Sequence, residues 1–375
     1  MVTLVVTTGN GSMDLYGQRL SQNLDVPLVQ LSFPEPFGSG FFSLRASRFL
    51  LHSFGVYRTL SSYKVLHLTN HHLARFIVFL RKSICILTVH DLIKQFDRMG
   101  ISTYIHRPNL RDKLDLWLDW QGIRKAHHII AISHNTKRDL IKYANIPEER
   151  ISVIYHGIDH SVFYPRYGER PFPFPYILFV GSEHPRKNLE TLLKAFYELK
   201  QDVGFKALKL VKVGKAGGRE DDFRARTLSL VKSLGLEEEV VFTGFVSEEE
   251  LARIYSNAEC LVFPSFYEGF GWPPLEAMAC GCPVITSNTS SLPEVVGDCG
   301  IMVDPKDIGG LVKALRLLLT SRELRERMRF RGMKRAGMFT WEKTARETLA
   351  VYRLVQESLV QNHYFSYCNL ETKSS

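Results

Sequence analysis

The chain alternates short β-rich apolar runs with helical stretches, and it does so twice, on either side of one proline-rich break. Strands joined by crossover helices leave few solutions besides parallel sheets covered on both faces. The first series places strands at 2–7, 26–31, 64–69, 84–89, 128–132 and 151–154, with helices at 13–24, 41–60, 110–126 and 134–143. The second places strands at 176–181, 207–213, 239–242, 260–263 and 283–286, among helices at 188–201, 221–234, 248–257 and 274–280. Helices dominate from 307 to about 361.

The break holds Pro165, Pro171, Pro173 and Pro175 with Gly168 between them, a composition that resists helix and central strand alike. The expected organisation is a first domain over 1–164, a linker over 165–175, a second domain over 176–340, a terminal helix over 341–361 and a disordered polar tail over 362–375. Two doubly wound sheets on one linker face each other across a cleft. Open sheets of this kind take ligands beyond the carboxyl ends of their strands.

The formal charge of +9 is uneven. Residues 1–165 carry 19 Lys and Arg against 12 Asp and Glu, or +7, and residues 166–375 carry 29 against 27, or +2. A basic half suits a membrane surface, nucleic acid or an anionic substrate. No helix concentrates basic and aromatic residues in a nucleic-acid motif, so nucleic acid is not an expected partner.

The stretch from Phe41 to Arg58 mixes large apolar residues with Arg45, Arg48 and Arg58. On a helix, such a mix either packs on the first sheet or meets an anionic membrane peripherally. No apolar run approaches the roughly 18 residues of a spanning helix. The opening residues Met1–Thr7 lack a basic leader pattern and read as a first strand rather than a signal peptide. Several of the six cysteines sit in apolar segments, and Cys280-Gly-Cys282 has no second pair at metal-site spacing. The expectation is a cytoplasmic protein, in peripheral contact with the inner membrane face at most, with no bound metal.

The densest chemistry lies in 260–286. An apolar strand ends at Pro264, the loop Glu268-Gly-Phe-Gly271 follows, and Pro273-Pro274 open a helix that carries Glu276. Gly269 and Gly271 let backbone approach a ligand closely, and a helix N-terminus suits phosphate. Carboxylates at 268 and 276 can accept hydrogen bonds from sugar and ribose hydroxyls. Taken alone, Glu276 is equally well explained by interaction with its own helix terminus. A second strand–loop–helix junction, Gly181-Ser-Glu-His-Pro-Arg186-Lys187-Asn188, sets an ammonium where it could neutralise a leaving diphosphate. On its own, Lys187 would more often be a solvated lysine.

These stretches resemble glycosyltransferase family 4, the retaining enzymes with the GT-B fold of two Rossmann-like domains facing a cleft. Glu268 and Glu276 match that family's E-x7-E signature, and Arg186-Lys187-Asn188 looks like its phosphate motif. The resemblance also takes in His156-Gly157-Ile-Asp159, Thr243-Gly244-Phe-Val246, Ser291-Leu-Pro-Glu294-Val and Phe339-Thr-Trp341. It covers nearly all of 125–356 and, more loosely, the first domain.

The resemblance implies a fold in which the C-terminal helices cross back to the first domain. It further implies that Lys187 binds the donor diphosphate, with Arg186 beside it, and that Glu276 holds the ribose. Glu268, with the backbone of Phe270 and Gly271, would grip the transferred sugar, and backbone near Val246 would meet the base. His90, at the end of a first-domain strand, would contact the donor sugar, and Gly11 lies in the counterpart of the family's N-terminal glycine loop. Ser182 stands where many members carry arginine.

With no Asp-x-Asp in the chain, no metal or other cofactor is expected. GDP-mannose is the first-choice donor, with UDP-sugars and dTDP-rhamnose open, and a saccharide or lipid-linked acceptor. Two other classes compete: a catalytically silent nucleotide-sugar-binding module of the same fold, and an NAD-dependent oxidoreductase. Retention of both glutamates and Lys187 counts against the first. The lack of Gly-x-Gly-x-x-Gly after strand 2–7 or 176–181 counts against the second.

Overall fold

The structure, a computed structural model, describes residues 1–9, 11–32, 53–102, 105, 108–166, 168, 170–217 and 220–371. Two six-stranded sheets organise the described residues. The first contains β1 (Thr3–Thr8), β2 (Leu28–Ser32), β3 (Val65–Leu68), β4 (Ile84–Val89), β5 (His128–Ala131) and β6 (Ile151–Val153), in the order β2-β1-β3-β4-β5-β6. The second contains β7 (Tyr176–Val180), β8 (Lys209–Val213), β9 (Val240–Gly244), β10 (Cys260–Phe263), β11 (Val284–Ser287) and β12 (Ile301–Val303), in the order β12-β11-β10-β7-β8-β9.

All ten strand pairings among the described residues are parallel. Covered on both faces, the central strands read as unbroken apolar runs; all five residues of β7 and all four of β10 are buried. In the second sheet the strand order reverses between β7 and β10, and the crevice opens beyond their carboxyl ends. In the first sheet the reversal falls between β1 and β3.

The linker over 165–175 has no helix or strand among its described residues. Phe172 and Phe174 stack on each other, and Phe172 meets Tyr176 edge to face, seating the linker on the second domain. The C-terminal helix runs Trp341–Glu371, extending into the stretch expected to be disordered from 362. It crosses back to the first domain, where Trp341, Ala345, Val351, Tyr352 and Val355 pack with Val2, Leu4, Val6, Tyr16 and Leu20. Tyr352 Oη and His67 Nδ1 hydrogen-bond at 2.6 Å in this interface.

Outgoing and returning chains touch where Ile158 N donates to Phe339 O at 3.3 Å. A Cβ on Gly157 would lie 2.4 Å from the backbone nitrogen of Trp341, so only glycine admits this crossing.

Several elements differ from the sequence reading. Short helices occur at Ile93–Met99 and Leu292–Val296, and β12 completes the second sheet. The helix expected at 274–280 begins earlier, at Trp272, so both prolines sit inside its first turn. Of the helix expected over 41–60, a helix over 53–61 is described; residues 33–52, with Arg45 and Arg48, lie outside the described residues.

Candidate active site

The loops leaving β7 and β10 converge at the reversal point of the second sheet. After β7, a single 3-10 turn, Pro185–Lys187, ends at Asn188 in the left-handed region, with φ 57°. Asparagine tolerates that conformation because its side chain can bond nearby backbone. Here the Asn188 amide donates to Pro264 O at 2.9 Å and Pro305 O at 2.7 Å, tying the turn to the end of β10. Phe266 N donates to Arg186 O at 2.8 Å. Beside Ser182, the buried Glu183 carboxylate meets Lys212 at 3.0 Å and Arg224 at 2.7 Å, which fixes the start of the same loop.

These constraints gather two cations around one carboxylate. Lys187 Nζ lies 2.8 Å from Glu268 Oε1, and Arg186 Nη1 lies 2.7 Å from Glu268 Oε2. Arg186 also donates to Tyr267 O at 3.2 Å, so its guanidinium serves the 267–268 backbone as well as the carboxylate. Lys187 sits over the Phe263 ring at 4.6 Å.

Burial would raise the Glu268 carboxyl, but Arg186 and Lys187 hold it down to about 2. Burial pushes the Lys187 ammonium down to about 8, opposed by Glu268. At neutral pH both groups are therefore charged. Ser290 and Ser291 complete the cradle: Glu268 N donates to Ser290 Oγ at 3.0 Å, and Ser291 Oγ bonds Glu268 O at 2.9 Å and Phe270 O at 2.6 Å.

Gly271, with φ 123°, caps the helix Trp272–Ala279. Glu276 lies partly buried on this helix and accepts from Tyr255 Oη at 2.9 Å. Burial pushes the Glu276 carboxyl up to about 7, although Tyr255 opposes the shift. The two glutamates thus differ in charge state near neutrality, Glu268 ionised and Glu276 half-titrated. Val246 follows β9, on the flank of the crevice, and packs against the second-domain core.

Across the cleft, His90 follows β4 and is buried. Its Nε2 faces Thr69 O at 2.9 Å, which fixes that nitrogen as the donor and leaves Nδ1 as an acceptor. Burial pushes His90 down to about 4, so the ring is neutral. Gly11 is exposed beyond β1 and caps the helix Ser12–Gln22, its N–H donating to Asp14 Oδ2 at 3.1 Å.

The two halves touch at the site itself. A Cβ on Gly269 would lie 2.1 Å from His90 O, so the loop Glu268–Gly271 and the first domain are in backbone contact. His156 lies between them, stacked on Tyr16 with ring centroids 4.6 Å apart and 5.0 Å from the Phe270 ring. Lys187, Glu268, Arg186, Phe270 and Gly271 therefore share one end of the cleft with His90. Glu276 stands on the adjoining helix, and Gly11 and Val246 lie on the cleft's other loops. Sequence reasoning missed Tyr255, Ser290 and Tyr16, whose roles arise from side chains brought together across long stretches of chain.

Comparison with known proteins bears on the family and the fold. Residues 2–162 match the model of Glycosyltransferase Family 4, and residues 168–335 match that of Glycosyl transferases group 1. The chain is 33% identical to O-antigen chain mannosyltransferase B of Escherichia coli over 63% of its own length and 62% of that protein. It is 30% identical to the serotype-specific mannosyltransferase WbdA of Escherichia coli over 74% of its length, spanning 34% of that protein. It is 32% identical to the MMP alpha-(1->4)-mannosyltransferase of Mycolicibacterium hassiacum over 61% of its length and 54% of that protein. The chain thus spans less than two thirds of these relatives.

Among solved structures, sucrose-phosphate synthase from Thermosynechococcus elongatus superposes with a TM-score of 0.77 at 21% identity, over 95% of this chain and 99% of that one. HepE of Anabaena, in complex with UDP and glucose, gives 0.76 at 16% identity, over 94% and 99%. The fold is GT-B. With both domains matched in order and the signature residues gathered at the cleft, this chain belongs to glycosyltransferase family 4.

Proposed function

We propose that the protein transfers a hexose from a nucleotide-diphospho-sugar, GDP-mannose first, to a saccharide or lipid-linked acceptor with retention of anomeric configuration. The observation that carries this reading is the Lys187–Glu268–Arg186 cluster at the strand-order reversal, closed against His90. The mannosyltransferase relatives favour mannose. In the proposed step the anomeric C–O bond to the diphosphate breaks while the acceptor oxygen bonds to the same face. The acceptor proton passes to a phosphate oxygen of the leaving group. Lys187 stabilises charge growing on that group. Glu268 holds the sugar hydroxyls, and His90 accepts a sugar hydroxyl proton at Nδ1 in a hydrogen bond.

Binding of a nucleoside diphosphate tests the assignment through pH. Ribose hydroxyls donate to Glu276 once it is ionised, so affinity should rise as pH passes about 7. It should fall again as Lys187 loses its proton above about 8. Calorimetric titration with GDP from pH 5.5 to 9.5 should give a maximum between these values. Glu276→Gln should bind more weakly and flatten the acid limb relative to wild type, the ligand's own ionisation being common to both. An unchanged acid limb in Glu276→Gln removes Glu276 from the ribose site.

For the acceptor, the first domain offers a cavity of about 300 Å³ lined by His72, Arg75, Lys94, Asp97, Asp115 and Leu116, whose charged groups can meet hydroxyls over a largely apolar wall. Its wall is the helix Leu110–Lys125, whose outer side exposes Leu110, Leu114 and Trp117. These stand one above another at helical spacing, with Lys113, Arg124 and Lys125 exposed around them, while Asp115 and Asp119 turn inward to Arg75. An apolar stripe edged by cations fits an anionic bilayer and supports a lipid-linked acceptor at the cytoplasmic leaflet.

No helix of the described residues is long and apolar enough to cross a membrane. Sedimentation with anionic vesicles should be lost in Leu114→Glu/Trp117→Glu. Equal pelleting of that variant would take the contact off this helix, and no pelleting of wild type would move the acceptor reading to a soluble glycan.

A further inference from the structure

Helix His134–Ala144 of the first domain begins beneath His90, and its first N–H groups have no partner within the helix. Ser133, the N-cap, takes only Thr136 N, at 3.1 Å. The first two are taken from the other domain. His134 N donates to Glu294 Oε2 and Asn135 N to Glu294 Oε1, each at 2.7 Å. Tyr155 Oη donates to the same carboxylate at 3.2 Å, and Arg138 lies 3.8 Å away. A carboxylate bound by two N–H groups at a helix start is doubly favoured, by charge-assisted hydrogen bonding and by the helix dipole.

One turn further along the same helix, Asp139 bonds Tyr267 Oη, and Asn135 Nδ2 donates to that hydroxyl at 3.2 Å. The Tyr267 ring is buried in the first-domain core, edge to face with Phe96 at 5.6 Å. Tyr267 and Glu294 bracket the donor loop from both sides. Tyr267 directly precedes Glu268, and Glu294 stands on the helix that follows Ser290 and Ser291, which bond the Glu268 and Phe270 backbone.

We propose that Tyr267 and Glu294 are positioning residues that latch the second domain onto helix His134–Ala144, so that closure of the cleft sets Glu268 and Phe270 in their working geometry. The proposal rests on the transferase reading for its catalytic consequence but not for the latch itself. Neither side chain is asked to touch substrate. Opening the cleft would return two N–H groups and a carboxylate to water, so the latch makes closure favourable without making it irreversible.

The test uses the full chain with Glu294→Ala, Glu294→Gln and Tyr267→Phe/Glu294→Ala. Small-angle scattering without ligand and with saturating GDP should show the double variant more open than wild type in both states. GDP affinity, set mainly by second-domain groups, should stay within about twofold. Release of GDP from GDP-mannose should lose at least tenfold in kcat in Glu294→Ala. Partial recovery is expected in Glu294→Gln, whose amide oxygen can still accept one N–H.

Identical scattering of wild type and double variant overturns the latch. So does a kcat loss matched by an equal loss of GDP affinity and thermal stability, which would mark a purely structural role. If wild type binds no nucleoside diphosphate, the transferase reading falls, and the ligand-free scattering still decides the latch.

Discussion

Replacing Lys187 by alanine should lower kcat by about 10²-fold while the protein remains folded. Lys187 is the buried ammonium of the cluster, 2.8 Å from Glu268 and charged at neutral pH. Loss of one principal electrostatic group at a developing charge costs roughly 2.7–4 kcal/mol, and each 1.36 kcal/mol is tenfold in rate. The fold should tolerate the substitution, because Glu268 keeps a second cationic partner in Arg186, 2.7 Å away in the wild-type structure. Arginine at 187 should not rescue, since a planar fork does not fit a slot shaped by the Phe263 ring and Glu268. Turnover is measured as GDP release from GDP-mannose. Near-wild-type kcat in a folded Lys187→Ala protein would contradict the assignment. Because the ammonium carries the neutralisation in this account, EDTA should leave at least half the activity, and abolition with rescue by manganese would speak against it.

Gly269→Ala should abolish turnover, by at least 10²-fold, with little effect on melting temperature or GDP affinity. The added methyl would stand 2.1 Å from His90 O and 3.1 Å from Asp91 Cβ, atoms of the opposite domain. A backbone carbonyl cannot swing aside as a long side chain can, so the domains must separate. Gly269 has no left-handed backbone to strain, since its φ is not among the positive values. The second domain alone is therefore undisturbed, and the loss falls on closure. Calorimetry with GDP, thermal melting and turnover on the same preparation separate these effects. A fall in melting temperature of more than about 5 °C would point instead to damage within the domain.

Much of the architecture was legible because buried parallel strands announce themselves as apolar runs. Residues 84–89 and 260–263 are examples whose expected and observed limits coincide. β12 was not legible: Ile301–Val303 is three residues between Gly300 and Asp304, too short to show any period. The helix Leu292–Val296 is five residues long, and its meaning lies in a carboxylate that reaches a helix 160 residues earlier.

The site residues Lys187, Glu268 and His90 were marked by motif, but the direction of Arg186 was not. Its guanidinium turns to Glu268 and Tyr267 O only because Asn188 and Phe266 fix the two loops against each other. Tyr255 and Glu276 sit on different helices, so the bond that accompanies the buried carboxyl had no sequence signature. The outward stripe of helix Leu110–Lys125 was hidden for a related reason. Leu116, Trp120 and Ile123 on its inner side blur the contrast that would have exposed Leu110, Leu114 and Trp117.

Whether the β7–β10 crevice holds a nucleotide-sugar donor is decided by thermal-shift screening. GDP, UDP, dTDP and NAD would be applied to wild type and to Lys187→Ala. Stabilisation by a nucleoside diphosphate, GDP foremost, is expected, sharply reduced in the variant, with none by NAD. Stabilisation by NAD, or a nucleoside diphosphate shift of equal size in both proteins, would contradict that reading.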